Sequence, residues 1–330
     1  MTILVTGSAG HLGEALMRTL GEARRSVRGI DVKPSPFTDA VGSICDRAFV
    51  QRSMNGVQAV IHTATLHKPH VATHSVQDFI AVNITGTSIL LEEAVAAHVE
   101  AFVVTSTTST FGAALTPSAG EPAAWVTEDV VPVPRNIYGV TKVAAESLCE
   151  MIYRRRGLPV IALRTARFFP EADDDAAIRR RYETANAQAN ELLHRRADIA
   201  DVVSAHLLAV ERARELGFGR YIISATTPFT PADLAALRHD AAELVCRLFP
   251  QCEALYAARR WSLFPEIERV YVNARARTEL GWQPKYDFGH ALDRLRAGRD
   301  FRSALAVEIG SKGYHDSSFG DRPYPVGDPN

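Results

Sequence analysis

Short apolar runs alternate with segments whose apolar positions recur at helical spacing. The β-branched runs "ILVTG", "SVRGIDV", "AVIHTAT", "AFVVTST" and "PVIALRTA" read as strands, and "LGEALMRTL", "ITGTSILLEEAVAAH" and "YGVTKVAAESLCEMIYRR" between them read as helices. Strand and helix in strict alternation predict an α/β chain with a doubly wound parallel sheet and helices on both faces. After about residue 167 the alternation gives way to "FFPEADDD", Arg-rich helical segments and a strand-like "GRYIIS". We expect this sequence to build a small C-terminal substrate lobe over the carboxyl edge of the sheet, where open α/β folds bind ligands. The expected division gives residues 1–166 to the sheet domain, with 197–225 and 267–275 returning to it. Residues 167–196 and 226–330 then form the lobe and a C-terminal tail. The closing "GSKGYHDSSFGDRPYPVGDPN" is rich in Gly, Pro, Ser and Asp, which predicts an extended tail with little helix or strand.

Composition narrows the partners. In 330 residues, 37 Lys and Arg nearly balance 38 Asp and Glu, and no basic block is present, so a small molecule is expected rather than nucleic acid. The chain enters a strand at once, and no apolar run has the length to span a bilayer, so we expect a cytoplasmic protein with no membrane partner. Cys45, Cys149, Cys246 and Cys252 lack zinc-site spacing and read as packing residues in a reducing compartment.

The first strand runs into "TGSAGHLG", which sets Gly7, Gly10 and Gly13, with His11 and Leu12 between them, in a strand-to-helix turn. Such a turn can cradle a phosphate on backbone N–H groups at a helix N-terminus, although glycines there also serve chain reversal alone. Asp31 ends the second strand, where a carboxylate accepts hydrogen bonds from both ribose hydroxyls and repels a 2'-phosphate. That combination is Rossmann-type and favours NAD over NADP, with Arg28 and Lys33 close enough in sequence to blur the preference. The bland alternative is that Asp31 only caps a loop.

In "NIYGVTKVAAESL", Tyr138 and Lys142 stand four apart, one helical turn from each other on one face. A fixed ammonium favours the phenolate, so Tyr138 could exchange a proton with a substrate hydroxyl. Thr107, in the hydroxyl cluster of "VVTSTTSTFG", could donate a hydrogen bond to the same oxygen. The alternative is an exposed helix with a partly buried tyrosine.

At this point the chain resembles the extended short-chain dehydrogenase/reductases, the NAD-dependent epimerase/dehydratase family. The resemblance is carried by "TGSAGHLG", "GID", "HTAT", "VNITGT", "VVTSTTSTFG", "YGVTK" and "ARTELGWQP", in the family's order. It implies Tyr138 as acid/base, Lys142 as ribose ligand and pKa modifier, and Thr107 as hydroxyl partner. It implies cofactor contacts from Gly7, Gly10, Leu12, Asp31, Ile44, Ala64 and Asn83, a sugar or sugar-derived substrate, and a homodimer built on residues 84–97 and 139–153. The departures are informative. Thr108 and Ser109 stand where sugar-nucleotide dehydratases carry an Asp-Glu pair, and Arg167 where nucleotide-sugar enzymes usually carry Asn. The segment before "ADIADVV" lacks the family's glycine-containing hairpin, and Ser43 replaces a common Asp.

Thr108, Ser109, Arg167 and His67 are the candidate substrate contacts. Arg167 could read a carboxylate or phosphate with its planar fork, or pair with the acidic run Glu171, Asp173, Asp174 and Asp175. His67, His70 and His74 fall at one-face helical spacing, yet Pro69 interrupts the helix and no other ligand completes a metal set, so no metal is expected and His62 reads as structural. Trp282 reads as core. The expected activity is hydride exchange with a sugar-like secondary alcohol: an epimerase if the hydride returns to the other face, a dehydrogenase if NADH leaves. A carbonyl reductase acting on a non-sugar ketone or aldehyde, or an NAD sensor without turnover, are the alternatives.

Overall fold

Among the described residues nine strands follow the expected runs and add to them: β1 (Ile3–Thr6), β2 (Val27–Asp31), β3 (Ala40–Val41), β4 (Ala59–His62), β5 (Ala101–Thr107), β6 (Ala124–Val126), β7 (Val160–Thr165), β8 (Phe218–Ile223) and β9 (Arg269–Tyr271). They belong to a computed structural model that describes residues 1–312, so most of the expected tail lies outside the described residues. Seven strands form one sheet in the order β3-β2-β1-β4-β5-β7-β8, and every neighbouring pair is parallel. Because β1 lies between β2 and β4, the strand order reverses there, and a crevice opens beyond the carboxyl ends.

Strand alternation sorts side chains into two core layers. Ile3, Val5, Ile61, Ile161 and Leu163 face one way, against Leu12, Leu16 and Leu20 of α1 (His11–Glu22). Leu4, Val60, Val160 and Ala162 face the other, against Phe49 and Val50 of α2 (Arg47–Ser53). The long helical stretch on that second face begins earlier than the sequence pattern suggests. It comprises α3 (Val76–Phe79), a π-helical stretch Ile80–Gly86, and α4 (Thr87–Ala96). A capping box starts it: Ser75 Oγ accepts from Asp78 N at 3.2 Å, and Asp78 Oδ2 accepts from Ser75 N at 2.8 Å. Its 21 residues are long and apolar enough to cross a membrane by composition alone, yet half are buried, with Ile89, Leu90, Leu91 and Ala94 packed on the sheet. Each such buried Ile or Leu contributes about 1.5–3 kcal/mol, so the apolarity of the stretch is accounted for by the core. Beside it lies α5 (Ile137–Arg156), opened by Asn136 and closed by Gly157 at φ +72°.

The chain then forms α6 (Ala176–Arg181), α7 (Thr184–Glu191) and α8 (Ile199–Leu216), with α8 packing beside α1 on the first face. β9 adds no strand to the large sheet; it pairs with β6, Trp125 opposite Val270, while the next helix, Ala274–Glu279, packs on β8. A separate core of Phe229, Leu237, Leu244, Tyr256, Val270 and Phe288 holds the lobe together. Trp282 is fully buried and its indole donates to Asp201 O and Ser204 Oγ at 3.1 and 2.9 Å. All four cysteines are free thiols.

Candidate active site

At the carboxyl ends of the central strands lies a cavity of about 420 Å³. Its floor is the glycine turn. Gly7 has φ +74°, and a Cβ there would come within 2.7 Å of Ala64 N. At Gly13 a Cβ would come within 1.9 Å of Gly7 O, so helix and strand pack closely only with glycine at that position. No side chain caps the N-terminus of α1, which leaves its first N–H groups available beside the cavity. Gly10 and Leu12 also line the cavity, as do Ile44, Ala64 and Asp31. Asp31 Oδ2 accepts from Ala9 N at 3.0 Å and Oδ1 from Lys33 N at 2.9 Å. It therefore does cap the loop, and because a carboxylate offers about four acceptor sites it keeps capacity for a ligand. Arg28 commits its guanidinium to the carbonyls of Ser53 and Asn55 and is absent from the cavity wall. The donors, the carboxylate and the close-packed glycines thus fit a dinucleotide.

Asn83 is not on that wall. It is buried, accepting from Leu66 N at 2.8 Å and donating to Leu66 O and Thr141 Oγ at 2.9 and 3.0 Å. It fixes the loop that carries Ala64 and His67 against α5. His11 lines the cavity and is pushed down to about 4 by burial, so it is neutral at pH 7. His67 lines it too, pushed down to about 3 by burial and by neighbouring His70 and Lys142. His62 is structural: its ring nitrogens meet Thr6 Oγ1 at 2.8 Å and Thr87 Oγ1 at 3.0 Å. Among the described residues no cluster of His, Cys, Asp and Glu gathers to hold a metal ion.

Tyr138, Thr107, Thr108 and Ser109 line the same cavity. Thr107 Oγ1 accepts from Ser109 N at 3.1 Å, which leaves its own O–H as a donor. Burial pushes the Tyr138 phenol up to about 12, opposed by its hydrogen bond with Thr107. The expected depression by Lys142 is therefore not seen. Lys142 itself is buried, off the cavity wall, and pushed down to about 8 by desolvation, with Glu146 working against the shift. The next turn of the same helix face holds Glu146, which accepts from Ser106 Oγ at 2.5 Å and pairs with buried Arg164 at 2.8 Å and with Arg220 at 3.1 Å. This anchors α5 to three strands.

Arg167 lies on the wall, but its guanidinium pairs with Asp174 at 3.0 Å and Asp173 at 3.6 Å and donates to Ala172 O at 2.7 Å. The pairing with the acidic run is thus the arrangement adopted, except that Asp175 caps α6 and Glu171 gives Arg167 only its carbonyl. Burial would raise Asp174, but Lys68 and Arg167 outweigh it and hold the carboxyl well below its usual range. The sequence reading missed Phe168, Phe169, Arg195, Arg269 and Tyr271, all on the same wall. Of these only Arg269 and Tyr271 carried a signal, the period-two spacing of "RVY".

A glycine turn at the reversal point of a parallel sheet, lining one cavity together with a Tyr and a Thr, defines an enzyme of the extended short-chain dehydrogenase/reductase class. The chain belongs to the NAD dependent epimerase/dehydratase family, whose model matches residues 3–223, more than half of its length. It is 35% identical over 169 residues to the uncharacterized protein y4nG of Sinorhizobium fredii, covering 49% of this chain and 40% of that protein. Over 178 residues it is 31% identical to an NAD-dependent glucose-6-phosphate dehydrogenase of Haloferax volcanii, covering 49% and 66%. The matches therefore span about half of this chain and no more than 66% of these relatives. Among solved structures it resembles a short-chain dehydrogenase/reductase superfamily protein from Agrobacterium tumefaciens with bound NAD. The TM-score is 0.64 at 23% identity, over 90% of this chain and 96% of that one, a likeness of fold.

Proposed function

We propose that the protein exchanges hydride between NAD and a secondary alcohol of a sugar or sugar-derived substrate, with Tyr138 as the acid/base. The observation that carries this reading is the shared cavity: the glycine turn and Asp31 line one part, and the hydroxyls of Tyr138 and Thr107 another. Bound there, NAD would accept the hydride or give it back. Gly7, Gly10, Leu12 and Gly13 would hold its pyrophosphate and Asp31 its adenosine ribose, and the carboxylate would disfavour a 2'-phosphate by like-charge repulsion. Ile44 and Ala64 supply apolar contact beside them.

Tyr138, pushed up to about 12, carries its proton at neutral pH and is set to donate it to a carbonyl oxygen; in the oxidative direction it takes the proton of the carbinol. Thr107 donates a second hydrogen bond to that oxygen and steadies its charge. Lys142, pushed down to about 8, remains mostly protonated at pH 7 one turn away. His67, Thr108 and Ser109 complete the substrate wall, and Phe168 and Phe169 restrict water. Thr108 and Ser109 cannot do a carboxylate's work, which argues against water elimination. We favour redox-neutral epimerisation; net oxidation is the second reading, supported by the dehydrogenase name of the Haloferax volcanii relative.

Exposed apolar side chains at Ile80, Val140 and Met151, on the π-helical stretch and α5, support a homodimer. The free thiols suit a reducing, cytoplasmic setting. The test is a sugar and sugar-acid panel with added NAD, run on the native chain and on Tyr138→Phe. The expected result is turnover that Tyr138→Phe reduces by about 10²–10⁴-fold with NAD affinity unchanged. Equal turnover in both proteins would remove Tyr138 from the chemistry.

A further inference from the structure

The substrate end of the cavity carries four cations: Lys68, Arg167, Arg195 and Arg269. Three are neutralised by close carboxylates. Lys68 pairs with Asp174, Arg167 with Asp174 and Asp173, and Arg195 with Asp173 and Glu191 at 2.7 and 2.8 Å. Arg269 differs. None of its five guanidinium donors makes a hydrogen bond among the described residues, and its Nε is sealed from solvent without a partner. The carboxylate beside it, Glu268, lies at 3.6 Å, is 44% exposed, and is shared with Arg238 at 3.9 Å. A cation with its donors unused on the wall of a ligand cavity is equipped to receive an oxyanion.

Its placement is built rather than incidental. In β9, Arg269 and Tyr271 share one face and line the cavity, while Val270 between them is fully buried in the lobe core. His194 locks that strand in place: its carbonyl accepts from Tyr271 N at 2.9 Å, and its Nδ1 meets Arg269 O at 3.1 Å.

We propose that Arg269, with Tyr271 beside it, is an oxyanion subsite for the substrate. The alcohol that reacts at Tyr138 then belongs to a small sugar carrying its own carboxylate or phosphate. This deepens, and rests on, the hydride-exchange reading of the same cavity.

The experiment is calorimetric titration of the full chain, first with NAD, then with D-glucuronate, D-glucose 6-phosphate, neutral D-glucose and UDP-glucose, each with and without NAD. At least one of the two small anions should bind about 10–100-fold more tightly than glucose, and the better of the two identifies the anionic group. Arg269→Gln should abolish that advantage, and Arg269→Lys should restore part of it. Both variants should bind NAD and melt as the native protein does. Tyr271→Phe, which keeps the guanidinium, should lose a smaller part of the advantage. Small anions that bind no better than glucose, an advantage that survives Arg269→Gln, or UDP-glucose binding more tightly than either small anion would each overturn the proposal. A chain that binds the anions through Arg269 but does not bind NAD would instead defeat the hydride-exchange reading alone.

Discussion

Glu146→Gln tests how the catalytic helix is held. Glu146 and Arg164 are both almost fully buried, with side-chain exposures of 2% and 4%, and the carboxylate accepts from Arg164 Nη2 at 2.8 Å and from Arg164 Nε at 3.1 Å. Glutamine keeps the shape but removes the charge and one acceptor, leaving a buried guanidinium with a neutral amide and the Glu128 carbonyl at 3.3 Å. Breaking one side of such a pair costs about 3–5 kcal/mol, chiefly the desolvation of the charge left behind. Arg220 is less affected because Glu150 still holds it at 2.7 Å. Urea unfolding should therefore show an unfolding free energy lowered by that amount, seen as a lower midpoint at unchanged slope. The double variant Glu146→Leu with Arg164→Leu, which buries no unpaired charge, should recover much of the loss. A single variant within about 1 kcal/mol of the native protein, or a double variant no better than the single one, would refute the argument that uncompensated charge sets the cost.

Gly13→Ala should abolish NAD binding by calorimetry even if the protein folds, because its Cβ would come within 1.9 Å of Gly7 O and push α1 away from β1; native-like affinity would contradict the close-packing argument. Asp31→Ser should narrow the preference for NAD over NADP in paired titrations, and an unchanged ratio would leave Asp31 as a loop cap only. Stability should fall as pH drops from 6.5 towards 3. The buried imidazoles of His62 and His194 are each pushed down to about 3, so in that window the unfolded chain binds protons that the folded one refuses. Each costs about 2 kcal/mol by pH 5, and urea midpoints equal at pH 7 and pH 5 would refute this. Light scattering should give twice the 36.1 kDa chain mass; a monomer would refute the pairing of α5 faces.

Local signals were enough for the sheet domain. A strand, a glycine turn and a helix follow one another within residues 3–22, so the Gly7–Gly13 cradle could be read without knowing any distant contact. The same holds for Tyr138 and Lys142, whose common face is set by helical period alone. Their electrostatics could not be read that way. A phenol beside an ammonium looked depressed, whereas burial, a property of the whole packed domain, raises Tyr138 and lowers Lys142. The π-helical stretch was equally invisible, since its hydrogen bonding leaves the apolar pattern almost unchanged.

The sequence by itself determined the parallel α/β fold, the dinucleotide turn and the Tyr, Lys and Thr candidates, because each depends on residues close in the chain or on period. Only the tertiary structure decided which distant side chains share the cavity. It set Asn83 off the cavity wall, tying the Leu66 loop to α5, and occupied Arg167 with Asp173 and Asp174. It brought Arg269, about a hundred residues beyond Arg167, to the same cavity with its guanidinium donors making no hydrogen bond among the described residues. Spacing along the chain carries no information about such meetings; they follow from how the lobe's core closes on the sheet.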